Sequence, residues 1–455
     1  MTDNYLQKLA CLVHGTTFAD LPQTTVEKAK LHLLDTLGAG IAGAGSDETR
    51  KMLSIIHSPL AGGRSHLWGR PEKTSPRDAA FLNGVSAHAY ELDDCGGCDH
   101  SGAVVVPALL ALLPTLTSAL SGKDLLLSMV MGYEVGRRIL EACGGYEVHN
   151  GLGWHSTGTC GAFGAAAGAS VLLGLDETKL ASSMGIACSF AGGTWAFIHD
   201  GSQTKKLHSG RAAEGGVMAA LLANTSFTGP TQVLQPHSWG SYLSAFGQDK
   251  GEPALLTSEY GERWRLDRCS IKPYATCRGT HSAIDAVEKM LGQNSLTSSN
   301  VALIEARMSK FQAGMCGATS VHTRAQAQMS LPYAVAAKLA FGRVFLEELE
   351  EQAFRSREAL SWLERTTVNV DPDMADDAEP EITLVTTTGG RFSMTVEEPL
   401  GGPCAPLSRS LIIDKFNALT QRQFNQDQAR QVIDYVLDID THQDVRTLPS
   451  LLAQA

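Results

Sequence analysis

The chain has 455 residues, of which 43% are apolar and 19% charged, a globular balance that excludes a wholly disordered protein. Lysine and arginine number 37 against 48 aspartate and glutamate, a net charge of −11, and no basic stripe stands out, so nucleic acid is not an expected partner. Ten cysteines are too sparse for a disulfide scaffold, and the opening MTDNYLQKLACLVHG has no cationic stretch followed by an apolar one, so a cytoplasmic protein is expected.

Apolar spacing predicts helices over Val26–Leu37, Ala79–Leu92, Asp124–Leu140, Gly161–Leu173 and Gly210–Leu222. Several are rich in Ala and Gly, which lets helix axes approach closely. The string Gly38-Ala-Gly40-Ile-Ala-Gly43 has dinucleotide-fingerprint spacing but follows a helix rather than a strand, so close packing explains it better. The run Val104–Leu120 comes nearest to a membrane span, yet it holds Pro107 and Pro114 and is shorter than the ~20 residues required, so no membrane is expected.

The character changes after Trp264. Ser270–Tyr274 is predicted extended, Ser282–Leu291, Ser330–Ala340 and Val344–Gln352 helical, and Val301–Lys310, Thr366–Val370, Glu381–Thr387 and Arg391–Glu397 strands. Gly389–Gly390 reads as a two-residue hairpin turn. The chain is helical again over Ser408–Leu437, after the Pro399–Pro406 stretch. The expected fold is mainly α with an inserted α+β domain: a helical domain from 1–266 and 405–455, and an α+β lid from 267–404.

Four segments concentrate reactive groups. Glu91-Leu-Asp93-Asp94-Cys95-Gly-Gly-Cys98-Asp99-His100 places four acids, two thiols and an imidazole after a helix. It reads as an active-site loop, with a metal site on Cys95, Cys98 and His100, a redox pair and a solvated acidic loop as alternatives. Trp154-His155-Ser-Thr157 precedes a helix whose free N–H groups suit a carboxylate, and His155 there suits a general base. Lys205-Lys206-Leu-His208 precedes another Ala/Gly helix and supplies compact cations. Lys272-Pro-Tyr-Ala-Thr-Cys277-Arg278-Gly-Thr-His281 opens the α+β segment, and Arg278 is suited to clamp a carboxylate. P-loop, zincin and G-x-S-x-G strings are absent from the sequence.

Read in order, Leu34-Asp-Thr-Leu-Gly38, Ala79-Ala-Phe-Leu-Asn-Gly84, His88-Ala-Tyr-Glu-Leu-Asp-Asp94, Gly132-Tyr-Glu-Val135, Gly153-Trp-His-Ser-Thr-Gly158, Lys205-Lys-Leu-His-Ser-Gly210, Lys272-Pro-Tyr and Ser330-Leu-Pro-Tyr333 resemble the MmgE/PrpD family over nearly the whole chain. Its members include 2-methylcitrate dehydratase, cis-aconitate decarboxylase and iminodisuccinate epimerase. The resemblance implies an all-helical domain built from both chain ends, an α+β lid between them, a homodimer, no cofactor and no metal. It places the site between the domains, with Glu91, His100, His155, Lys205 and Lys272 at family positions. Cys277 stands where the animal decarboxylase has a histidine.

The expected enzyme is a cofactor-independent lyase on a small polycarboxylate. The α-proton of a carboxylate is weakly acidic, so its removal needs cations to hold the developing charge and a positioned base. The catalytic set is His155 as base with His100, Lys205, Glu91 and Asp94; Lys272, Arg278, Cys277, Lys206 and His281 bind substrate. Loss of water, as in 2-methylcitrate dehydratase, is the expected outcome. Decarboxylation, epimerisation and carboxylate binding without turnover are the alternatives.

Overall fold

The computed structural model describes residues 4–56, 62–236 and 239–454. Helices dominate the first part of the chain, the longest being Gln23–Gly43, Gly122–Ala142 and Thr204–Asn224, with Pro76–His88, Gly102–Leu112 and Gly161–Leu172 among the shorter ones. Their starts are set by side-chain caps. Ser75 accepts from the Asp78 N–H, and Ser121 with Asp124 forms a capping box. None of the described helices is long and apolar enough to cross a membrane. The stretch from Val104 instead forms the buried helix Gly102–Leu112, which carries Pro107, and a 3₁₀ turn at Leu113–Thr115.

Small residues bring these helices together. A Cβ on Gly40 would meet the Trp68 ring, and one on Gly43 the Ser86 carbonyl, so Gly38–Gly43 serves packing. Gly210 lies against Phe81, where a Cβ would collide with the carbonyl oxygen. Because this contact is backbone rather than a movable side chain, Gly210→Ala is expected to destabilise the fold by about 1–3 kcal/mol. Urea unfolding checks it; an unchanged midpoint would contradict the close approach.

After the helical part, four strands form one sheet in the order Thr366–Asp371, Val301–Ser309, Glu381–Thr386, Arg391–Thr395. The first pair is parallel and the other two antiparallel. Along Val301–Ser309 the side chains of Ile304, Ala306 and Met308 alternate into a core shared with the helices His281–Gln293 and Leu331–Phe341. The helices Arg409–Thr420 and Gln426–Leu437 then return to the first part, with Gly38 facing Phe416 and Leu419. One apolar core joins residues 6–271 to 407–452, and a second gathers residues 275–396 with Ala89, Tyr90 and Leu92. The segment after His88 therefore runs along the seam between the two cores.

Several expected elements differ. The helix predicted to Leu92 ends at His88, because Glu91 adopts a left-handed backbone (φ 56°) that no helix continues. The helix predicted from Gly210 begins at Thr204, so Lys205, Lys206 and His208 are helical residues rather than a preceding loop. Val344–Gln352 is not one helix but a 3₁₀ turn at Glu347–Leu349 followed by Glu351–Phe354. Ser408–Leu437 is broken into two helices at residues 421–425. The hairpin turn spans three residues, Thr387–Gly389, with Gly389 left-handed (φ 87°) and the Thr386 N–H donating to the Gly390 carbonyl.

Candidate active site

The left-handed turn at Glu91 aims its carboxylate inward, where it is fully buried. Lys205 Nζ donates to Oε1 at 2.6 Å and Lys206 Nζ to the same oxygen at 2.5 Å, while Lys272 Nζ donates to Oε2 at 3.1 Å. Two of the lysines come from the first turn of the helix Thr204–Asn224, and the third from the strand-like entry into the lid. That entry is pinned by backbone hydrogen bonds between Cys95 and Ser270. Burial alone would raise the Glu91 pKa, but the three ammonium groups hold it well below the usual range. Lys206 pays for the crowding: burial brings it down to about 8, with Glu91 only partly offsetting this. One buried carboxylate thus carries three cations, and the surplus positive charge calls for an anionic ligand.

Beside this cluster, two imidazoles face one carboxylate. Asp99, held at φ 97°, puts Oδ2 3.5 Å from His100 Nε2 and 3.6 Å from His155 Nε2. His100 Nδ1 lies 2.9 Å from Asp93 Oδ2 and 3.1 Å from the Asp94 carbonyl oxygen, two acceptors that require a proton on that nitrogen. Burial would lower the His100 pKa, but Asp99 and Asp93 reverse the shift and raise it. Burial wins at His155, which falls to about 4 despite Asp99. Similar side chains are thereby pushed in opposite directions, His100 toward the imidazolium and His155 toward the neutral ring.

A cleft of about 540 Å³ opens on this wall. His100, Asp99, Lys205, Lys272, Cys277 and Arg278 line it from the sides facing helical part and lid. Arg278 also donates to Glu379 at 2.7 Å. The Cys277 thiol is shifted below the usual cysteine value by the neighbouring Cys316 thiol, against burial and with help from Lys205. A smaller cavity of about 290 Å³ lies on the far side of Lys205 and is lined by Glu91 and Lys206 as well.

Other expected site residues sit differently. Asp94 does not line the cleft: its carboxylate accepts from Tyr133 Oη at 2.6 Å and the Gly102 N–H at 2.8 Å, and meets His32 Nδ1 at 3.0 Å. His281 also faces away, with Nε2 3.2 Å from the Thr276 carbonyl oxygen and its ring edge-on to Tyr274. The helix start at Ser156 is likewise behind the wall. Its first N–H donates to Asn150 Oδ1 and offers nothing to a ligand, and His155 is fully buried. The two thiols of the loop separate: Cys95 lines the cleft, whereas Cys98 packs in the helical core and accepts from Ser101 Oγ.

Among the described residues two groups could hold a metal ion, His88–Asp93–His100 and Asp99–His100–His155, and neither includes a cysteine. The alternative metal set of Cys95, Cys98 and His100 is therefore not assembled. Sequence reasoning passed over three residues the structure makes prominent. Asp93 pairs with His88 and His100, Asp99 stands between the imidazoles, and His208 places Nδ1 2.9 Å from His155 Nδ1. His208 was within reach, since it lies three residues from Lys205 and shares its helix face once that helix starts at Thr204.

Comparison with known proteins matches the MmgE/PrpD N-terminal domain to residues 7–254 and the MmgE/PrpD C-terminal domain to residues 274–441. A cis-aconitate decarboxylase-like protein of Aspergillus oryzae is 28% identical over 460 residues, covering 96% of this chain and 94% of its own. Cis-aconitate decarboxylase of Aspergillus terreus is 28% identical, over 95% of this chain and 92% of its own. The Homo sapiens enzyme of that name is also 28% identical, over 99% and 95%.

Proposed function

This chain belongs to the MmgE/PrpD family, and on that footing we propose that it is a lyase that decarboxylates a small unsaturated tricarboxylate of the cis-aconitate kind. The observation that carries the choice is His100, held as an imidazolium against the cleft by Asp93 and Asp99. Decarboxylation needs a delivered proton, whereas dehydration first needs a base, and the neutral His155, buried behind the wall, turns Nε2 onto Asp99. The similar decarboxylases support the same choice over the 2-methylcitrate dehydratase expectation.

In a carboxylate with a β,γ double bond, the C–C bond to the departing carboxylate breaks and its electron pair forms a new double bond. The old double bond's pair moves to the carbon α to a second carboxylate, and CO2 leaves. His100 delivers a proton to that carbon and is reprotonated from water. Lys205 and Lys272 hold the retained carboxylates and stabilise the charge that spreads onto one of them. Arg278 supplies a further guanidinium from the lid. In this reading Glu91 and Lys206 act from behind, by fixing the other two lysines. A homodimer, as the family resemblance implies, and a cytoplasmic location complete the proposal.

Cys277 favours a second reading. It lines the cleft beside Lys205 and Lys272, its thiol is shifted below the usual cysteine value, and as a thiolate it would serve as the base for an α-proton, the first step of water elimination. One substitution separates the two. Cys277→Ala is expected to leave CO2 release from cis-aconitate within ~5-fold of wild type. Loss of turnover in that variant, together with dehydration of 2-methylcitrate by the wild type, would favour the dehydratase.

A further inference from the structure

His155 and His208 meet through Nδ1 at 2.9 Å, with ring centroids 5.0 Å apart. At that distance one nitrogen donates and the other accepts, since two lone pairs would repel and two N–H groups would clash. His155 Nε2 decides which. It faces Asp99 Oδ2 at 3.6 Å and Thr157 Oγ1 at 3.4 Å. A bare lone pair against a carboxylate is repulsive and an N–H is attractive, so Nε2 carries the proton and Nδ1 accepts. The tautomers are assigned from these partners. His208 must then donate from its own Nδ1. Its ring is held by Gly193, which at φ 128° leaves no room for a Cβ beside the imidazole, and by the edge-on Phe197. Burial keeps both rings neutral, His155 near 4 and His208 near 3, so one proton is shared between them rather than two.

We propose that His208 is a positioning residue that fixes His155 as the Nε2–H tautomer, so that a neutral N–H from behind the wall faces Asp99, the cleft-lining carboxylate set against His100. Resting on the decarboxylase reading above, this gives His155 the part of a donor that holds Asp99 against the acid His100, rather than of a base. A mispositioned general acid forfeits part of the ~10²–10⁴-fold that such a group contributes.

The test compares His208→Leu with His208→Asn, each alone and in a His155→Gln background, by CO2 release from cis-aconitate. Leucine fills the space but cannot donate; asparagine is smaller and donates through its amide. The expected result is that His208→Leu lowers kcat ~10²-fold with KM within ~3-fold, and that His208→Asn recovers to within ~10-fold of wild type. In His155→Gln, whose amide has no tautomer to set, exchanging His208 for Leu should change kcat by less than ~3-fold. A packing role predicts the reverse ranking, with leucine better than asparagine, and that ranking would overturn the proposal. So would an undiminished ~10²-fold loss in the His155→Gln background.

The tautomer is also readable without turnover, by nitrogen NMR of ¹⁵N-histidine-labelled wild-type protein, with His155 assigned through His155→Gln. A protonated Nε2 and bare Nδ1 are expected at His155; the opposite pattern overturns the assignment even if the leucine variants fail to fold. If wild type releases no CO2 while this pattern holds, the decarboxylase reading fails and the His208 assignment stands.

Discussion

His100→Gln is expected to lower kcat by ~10²–10⁴-fold while leaving the fold intact, because it removes the one protonated imidazole on the cleft wall. Glutamine keeps a hydrogen-bonding tip near Asp99 but has no proton to give. The pH profile gives a second signature. His100 has a raised pKa, so the acid form is complete at low pH and is lost as pH rises through that raised value. Wild-type kcat should therefore fall on the alkaline side with an apparent pKa above the ordinary histidine value of about 6.5, and the residual rate of the variant should lack that limb. The same sign governs stability: the contribution of the His100 pairs with Asp93 and Asp99 is fully present below about pH 6.5 and fades through the raised pKa. Steady-state rates from pH 5 to 9 check both.

Glu91→Gln is expected to be the most damaging exchange in the seam between the two cores. The carboxylate is fully buried and answers Lys205, Lys206 and Lys272 together. Removing one partner of a buried ionic group costs about 3–5 kcal/mol, since the remaining charge is left without compensation. Here three ammonium groups are left, so a large drop in the urea midpoint should accompany loss of activity. Lys206→Met added to Glu91→Gln removes one uncompensated cation and should restore part of the midpoint; a further additive loss would contradict the account. The Glu91 pKa is depressed, so its contribution is present above the unfolded value of about 4.3 and is lost as pH falls through the lower folded value. Acid unfolding of the wild type should begin there, and the variant should show less of that dependence.

The mainly helical class with its α+β insertion was legible because apolar spacing and strand alternation persist through the buried faces of the helices and of the strand at Val301. Boundaries were lost where buried polar groups interrupt that spacing. The helix at Thr204 opens with two buried lysines, which read as a solvated loop until Glu91 supplies their counter-charge. At the other extreme, Tyr90 and Leu92 continue a helical apolar pattern that the backbone abandons at His88. In the site, clusters of polar residues flagged the segments that hold Glu91, His100, Lys205 and Lys272 separately, and it was the family resemblance that implied one site for them. Sequence could not tell which of two adjacent acids turns toward the imidazoles: Asp93 pairs with His100, while Asp94 turns to Tyr133 and the Gly102 N–H. Nor could it show that Asp99 adopts a left-handed backbone, the feature that brings its carboxylate between His100 and His155.

Proton NMR of the wild-type enzyme acting on cis-aconitate in D2O tests the central claim most directly. Decarboxylation with one proton delivered by His100 predicts CO2 release, new terminal-methylene signals and one deuteron in each product molecule, on the carbon next to the retained carboxylate. Addition of water to the double bond, or deuterium exchange without CO2, would contradict it.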